Sequence, residues 1–380
     1  MNSDLCRRLG IEFPLFAFSH CRDVVAAVTN AGGMGVFGAA MMSPEQLEEE
    51  LSWIDDHVDG RPYGVDLIVP NTFEAKGQDI PDKQILAMVP EGHKQFAASV
   101  LRDRGLDPGD LEARRQEMLV FRDNISVDGA RRSLEVAFRH PIALIANALG
   151  VPPADMLEMG KAHGVAVAAL VGTAEHARAQ VQAGVDIIVA AGGEAGGHTG
   201  DVATMVLVPE VVQAVEAMGA DVPVLAAGGI ASGAQMAGAM AMGAAGAWCG
   251  SVWLTTAEAE TNPVVKEKML AASSADTVRA RSRTGKPSRQ LISGWTEAWE
   301  GKSAPKPLPM PLQTLVSEPA LARIDQLSQA GDVGAQELAT YWVGQGVGLM
   351  TQAMSAGAVV QAFKEDFLRG YERLQSALEG

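Results

Sequence analysis

The residues best able to do chemistry lie between Asp186 and Gly200, where an apolar run breaks into glycines around one histidine, His198. An imidazole exchanges a proton near neutral pH, and its pKa follows its surroundings. A loop histidine is ordinarily a surface residue. This one stands among Gly193, Gly196, Gly197 and Gly200, which let the backbone approach a ligand closely. Glu194, four residues earlier, is placed to orient the loop. Two further turns, Ala226-Ala227-Gly228-Gly229-Ile230 and Cys249-Gly250-Ser251, can point main-chain N–H groups at phosphate oxygens. The competing reading of these glycines is tight packing alone. His20, Asp66, Asn71 and Asn147 end or interrupt other apolar runs. His20 and Asn147 are therefore candidate pocket residues, and Asp66 either faces outward or reaches the pocket.

These groups need strands to present them. Short apolar runs rich in β-branched residues fall at 11–18, 34–37, 63–69, 142–147, 165–171, 186–191, 222–227 and 247–254. Helical patterns separate most of them. Repeated β-α units imply parallel strands with right-handed crossovers, and eight of them predict an α/β fold of the (β/α)8 TIM-barrel type. In such a barrel the active-site groups come from the C-terminal ends of strands, where His198 and the two Gly-rich turns fall.

Residues 1–71 and 141–260 are predicted to form the barrel. Residues 72–140 are predicted to form a polar, helical insertion after strand 3, acting as a lid over the mouth or as a surface or subunit contact. Residues 261–380 read as an extension packed on the barrel. It carries a basic cluster from Arg279 to Arg289, a Pro-rich stretch at 305–311, and helical patterns at 336–341 and 357–376.

Composition limits the function. A net charge of −16 over 380 residues argues against a general nucleic-acid or anionic-membrane binder, while leaving room for a local phosphate pocket. The three cysteines have no metal-ligand spacing and read as reduced thiols of a cytoplasmic protein. The opening residues lack the build of a signal peptide, and no apolar run is long enough for a membrane span. Walker, HExxH, GxSxG and CxxC motifs are absent, and no metal site is expected.

The motifs, taken together and in order, resemble the nitronate monooxygenase (2-nitropropane dioxygenase) family of FMN-dependent barrel enzymes, which includes flavin-containing enoyl-ACP reductases. The matching pieces are 31–35, Gly64 to Leu67, Gly192 to Gly200, Ala226 to Ile230, Gly250-Ser251 with Glu258, Thr284 to Arg289, and Tyr341 to Gly346. The resemblance implies FMN, with its phosphate on Gly228, Gly229, Gly250 and Ser251 and with Gln345 and Gly346 nearby. Asp66, Gly193, Gly196, Gly197 and Ala227 complete the implied cofactor set. It implies His198 as the base that takes a proton from the carbon beside a nitro group, with O2 as the oxidant. In the reductase branch NAD(P)H is the reductant, and the same position contacts cofactor or substrate. A barrel that has lost its chemistry and only binds a ligand is the third reading. Apart from the resemblance, the expected partners are a small-molecule substrate and a second copy of the chain as a homodimer. Two departures fall in the implied pocket. Asp66 stands where the family usually has asparagine, which puts negative charge near the flavin unless the carboxyl is protonated. The first strand ends Ala17-Phe18-Ser19-His20-Cys21 instead of in the usual Pro-Met-Ala-Gly-like turn.

Overall fold

The computed structural model describes residues 1–40, 42–69, 81–120 and 126–379. The strands are, in order, β1 (Leu15–Ser19), β2 (Met34–Gly38), β3 (Gly64–Leu67), β4 (Leu144–Asn147), β5 (Ala166–Val171), β6 (Ile187–Ala191), β7 (Gly197–His198), β8 (Val224–Ala227), β9 (Gly246–Cys249), β10 (Thr277–Ala280) and β11 (Ser288–Leu291). The eight strands β1-β2-β3-β4-β5-β6-β8-β9 close into a barrel, and β9 pairs back onto β1 in parallel. This is the predicted (β/α)8 TIM barrel. The other three form a small sheet, β10-β11-β7.

Successive strand residues face opposite sides, so each barrel strand serves two cores. Phe16, Met34, Val36, Leu144, Ala146, Ala168, Val189, Leu225 and Trp248 fill the interior. Phe16 and Trp248 stack there at 6.1 Å, opposite small alanines. Val65 and Leu67 face outward to Leu47, Leu51 and Leu134 of the surrounding helices. That alternation turns Asp66, which lies between them, into the barrel.

The strands follow the sequence pattern, with trimmed ends. Pro14 holds back the first strand, which begins at Leu15. The eighth stops at Cys249, because Ser251–Thr255 turns into a 3-10 helix with the Trp253 indole N–H on the Cys249 carbonyl (2.7 Å). The helix that contains Pro209 begins five residues ahead of it, at Thr204. Glu194 takes the Thr204 amide there, and Pro209, lacking an N–H, cannot donate to the Met205 carbonyl one turn earlier.

The division into insertion and extension is redrawn by the packing. The helix Val127–Ala137 packs on β3 and on the helix Pro44–His57, as a barrel helix does. The helices Glu91–Arg102 and Leu111–Val120 pack instead on Leu312–Gln329. Arg115, nearly sealed, donates to the Leu315 carbonyl (3.0 Å), Arg323 donates to the Asp107 carbonyl (3.1 Å), and Phe96 sits edge-on to Trp299 (4.9 Å). Insertion and extension thus share one helical layer. The last helix, Ala356–Glu379, lies between Gly233–Ala241 and Arg22–Asn30, where the eighth helix of the barrel belongs. Gly233 rests against the Phe363 carbonyl, and Lys364 donates to the Ala31 carbonyl (2.8 Å). Residues 261–355 are therefore an excursion between the eighth strand and the eighth helix. Among the described residues no helix is long and apolar enough to cross a membrane.

Candidate active site

The Gly-rich segments meet at the C-terminal mouth of the barrel. The Gly228-Gly229 turn after β8 has φ of 105° and 70°, a left-handed pair that costs a side chain strain and glycine nothing. The Thr204 hydroxyl lies 2.9 Å from the Gly228 carbonyl and 2.9 Å from the Glu194 carboxylate, which ties that turn to the histidine loop. Gln235 closes the turn from the far side, donating to the Gly229 carbonyl (3.0 Å) and accepting from the Ala231 amide (2.8 Å). Glu194 thus orients its loop by capping the helix Thr204–Glu216.

A third segment, distant in sequence, completes the cradle. The Gly344 amide donates to Ser251 Oγ (2.8 Å), and the Gln345 amide donates to the Glu194 carbonyl (2.9 Å). A Cβ on Gly346 would stand 2.8 Å from the Gly229 carbonyl, and one on Gly196 would stand 2.8 Å from the Gly344 nitrogen. Side chains at either position would prise the segments apart. Gly250 meets only the Phe18 ring at 3.8 Å, so its pocket side is open. Gly228, Gly229, Gly250, Ser251, Gln345 and Gly346 are therefore gathered in one place beside Gly196 and Gly197. Ala227 is buried at the end of β8, and the Gly193 carbonyl accepts from Arg289 (2.9 Å).

His198 belongs to β7, a two-residue strand paired antiparallel with β11, with Ser288 opposite His198 and Arg289 opposite Gly197. The basic cluster is the β10–β11 hairpin that holds this strand. His198 Nε2 lies 2.8 Å from Thr284 Oγ1, and the ring tilts over Trp342 at 6.3 Å. One side of the residue stays exposed. Enclosure of the remainder, and then the positive charges of Lys286 and Arg283, lower the imidazole pKa below its ordinary 6.5, so the ring is neutral at neutral pH. Behind it, the Arg283 guanidinium stacks on Trp342 (4.0 Å) and pairs with Glu318 (2.6 Å). Thr284, Arg283 and Trp342 escaped sequence reasoning as individual residues, since nothing local marks a partner 86 residues from His198.

The remaining candidates separate. His20 stands exposed at the end of β1, with Nδ1 2.6 Å from the Gly38 carbonyl and its ring edge-on to Phe18 (5.1 Å). Gly38 pairs with Asp66 across β2 and β3, so His20 and Asp66 flank one point of the mouth. Asn147 is a correction. It shares the outward parity of Ile145 and is fully buried. Its amide is spent on the Val69 amide (3.0 Å), the Val69 carbonyl (3.3 Å) and the Leu149 carbonyl (2.9 Å), so it clamps two loops instead of lining the pocket. Asn71 lies outside the described residues. Among the described residues, only Cys21, Asp23 and Glu260 cluster at metal-ligand distances, away from His198 on the chain, and Cys21 already donates to the Glu258 carbonyl (3.1 Å).

Burial alone raises the Asp66 carboxyl to about 8, so it is mostly protonated at neutral pH. Its folded value lies above the ordinary 3.8, so its stabilisation is complete below pH 4 and is lost as pH rises through about 8. Asp66→Asn, which cannot ionise, should raise the melting temperature at pH 8 by several degrees and leave it within a degree or two at pH 4. Equal shifts at both pH values would mean that Asp66 is not buried as a titrating acid.

Comparison with known proteins places the chain in a family. The nitronate monooxygenase family profile matches residues 9–366. A Mycobacterium tuberculosis protein named "Putative monooxygenase" is 52% identical over the whole of both chains. A "Probable nitronate monooxygenase" of Staphylococcus haemolyticus is 27% identical over 92% of this chain and 93% of its own. Among solved structures, nitroalkane oxidase from Streptomyces ansochromogenes superposes with a TM-score of 0.77 at 25% identity, covering 98% of this chain and 100% of that one. FabK from Thermotoga maritima gives 0.71 at 25% identity, with 99% of each chain covered. With the match running from ahead of the first strand into the closing helix, and the glycine cradle and His198 loop inside it, the chain belongs to the nitronate monooxygenase family.

Proposed function

We propose that this flavin-dependent oxidoreductase binds FMN at the barrel mouth and oxidises a small carbon acid of the nitroalkane or nitronate class with O2. The observation that carries the reading is the convergence of Gly228-Gly229, Gly250-Ser251 and Gln345-Gly346 beside the His198 loop. The phosphate would be held by main-chain N–H groups of the first two segments, near the start of the 3-10 helix Ser251–Thr255. When bound, the flavin supplies a two-electron acceptor that returns its electrons to O2. Every other part falls to the chain itself.

His198 is the candidate base. Neutral at neutral pH and open on one side, it can take the proton from the carbon beside the nitro group, leaving the electron pair on the nitronate anion. Lys286, whose charge helps to lower that pKa, also favours the anion, while Arg283 is neutralised by Glu318. Asp66, protonated, adds no negative charge inside the mouth.

A second reading, the reductase branch that the family resemblance implies, is an enzyme that takes electrons from NAD(P)H and acts on an enoyl thioester or quinone. The visible absorption spectrum decides between them. The purified protein, supplied with FMN, is titrated anaerobically with NADH, NADPH and then a nitronate. Bleaching by the nitronate alone supports the first reading, and bleaching by NAD(P)H supports the second. Failure to bind FMN at all overturns both.

A further inference from the structure

Thr284 makes three polar contacts through one hydroxyl. Its oxygen lies 2.8 Å from His198 Nε2, 3.3 Å from the Lys286 amide nitrogen and 3.3 Å from the Lys286 carbonyl. A hydroxyl has one proton to give and two lone pairs to receive with. The Lys286 N–H can only donate, and the Lys286 carbonyl can only accept. If the Thr284 proton went to His198, the carbonyl contact would be lost. If it goes to the Lys286 carbonyl, the oxygen receives both the Lys286 N–H and an N–H from His198, and all three contacts are made. Thr284 is 3% exposed, so water does not offer the lost bond.

We infer that Thr284 is a positioning residue that holds neutral His198 as the Nε2–H tautomer and so leaves Nδ1 as the nitrogen that accepts the substrate proton. This rests on the reading of His198 as the base. In the step itself the C–H bond breaks, its proton goes to Nδ1, its electrons stay on the substrate as the nitronate, and Nε2–H remains on Thr284 throughout. The imidazolium so formed keeps a partner for one of its two N–H groups.

The charges facing the ring are accounted for. Arg283 and Lys286 flank Thr284 on the hairpin, and Glu318 neutralises Arg283 from behind. Arg279 is paired with Asp201 (2.6 Å), and Arg289 is directed to the Gly193 carbonyl. Each of these charges is engaged elsewhere or acts on the ring only through its field, which leaves the hydroxyl to fix the tautomer. The arrangement differs from the usual catalytic dyad, because the orienting group is not a carboxylate: it sets the tautomer without raising the basicity of the ring.

The test is nitrogen-15 NMR of histidine-labelled protein at pH 7.5, with the His198 signal assigned by its absence from His198→Asn. The parent should show protonated Nε2 and bare Nδ1, with an Nε2–H proton slow enough in exchange to be seen. Thr284→Val should lose that proton signal, and Thr284→Ser should keep it. In parallel, kcat on a nitroalkane should fall about 10- to 100-fold in Thr284→Val with KM within about threefold, the signature of a misplaced base, and Thr284→Ser should recover most of it. A parent with protonated Nδ1 overturns the inference, as does a Thr284→Val spectrum identical to the parent. If the valine variant does not fold, the parent and serine spectra still decide the tautomer. The NMR readout is independent of turnover, so a protein that proves inert toward nitroalkanes would overturn the proposed reaction and leave the tautomer assignment standing.

Discussion

His198→Asn should lower kcat/KM for a nitroalkane by about 10²- to 10⁴-fold, the range for loss of a general base, while turnover of the pre-formed nitronate stays within about tenfold. The asymmetry follows from what the residue is asked to do. A nitroalkane must lose a carbon-bound proton before it can give up electrons, and a nitronate has already lost it. The parent's pH profile carries the same signature. The base form of His198 predominates above a pKa lowered from 6.5, so the nitroalkane rate should be flat around neutrality and fall as pH drops through that lowered value. The variant should lose this acid limb. Steady-state assays on both substrates from pH 5 to 8 measure it, and equal losses on nitroalkane and nitronate would remove His198 from proton transfer.

Glu318→Ala should cost about 3–5 kcal/mol of stability, the penalty for stranding a buried charge. Arg283 is nearly sealed, its Nε and Nη2 reach Glu318 at 2.6 and 3.2 Å, and its Nη1 has no protein partner. Without Glu318 the guanidinium keeps its charge and loses its counter-ion in a setting water barely enters. Replacing both partners, as Arg283→Met with Glu318→Leu, removes the charge as well as its partner and should recover most of the loss. Urea denaturation of the single and double variants checks this. A double variant no more stable than Glu318→Ala would show that the pair does more than neutralise itself. Because Arg283 stacks on Trp342, which in turn meets the His198 ring, the single variant should also disturb the imidazole.

How much of this was legible in the sequence depends on distance along the chain. The eight barrel strands were, because a buried parallel strand is written in four to six consecutive apolar residues, as in Ile187–Ala191. The glycine pairs were legible as turns for the same reason, and Gly228 and Gly229 do have positive φ. Asp66 is assigned to the pocket mainly through the family resemblance, since along the strand itself whether it faces in or out depends on the register of β3 against its neighbours. Asn147 misled because a strand-end amide looks the same whether it faces a ligand or two loop backbones. β7 has two residues and no periodicity, and becomes a strand only because β11 lies beside it. The helices of 261–355 were likewise mostly unread. Leu312–Gln329 buries its residues against an insertion some 200 positions earlier, so its pattern serves two surfaces at once.

The position of the closing helix constrains the order in which the molecule can be assembled during synthesis. β9 completes the set of barrel strands by residue 249, yet the helix that covers the seam between the eighth and first units begins at residue 356. While the intervening hundred or so residues emerge from the ribosome, the small-residue face of Gly233–Ala241 and the neighbouring side of Arg22–Asn30 have no cover from their own chain. At about 5–20 residues per second that interval lasts on the order of 5–20 seconds. A nascent barrel of this kind therefore exposes an apolar seam for longer than a barrel whose units are laid down strictly in turn, and the burden of keeping it from sticking falls on whatever holds nascent chains apart.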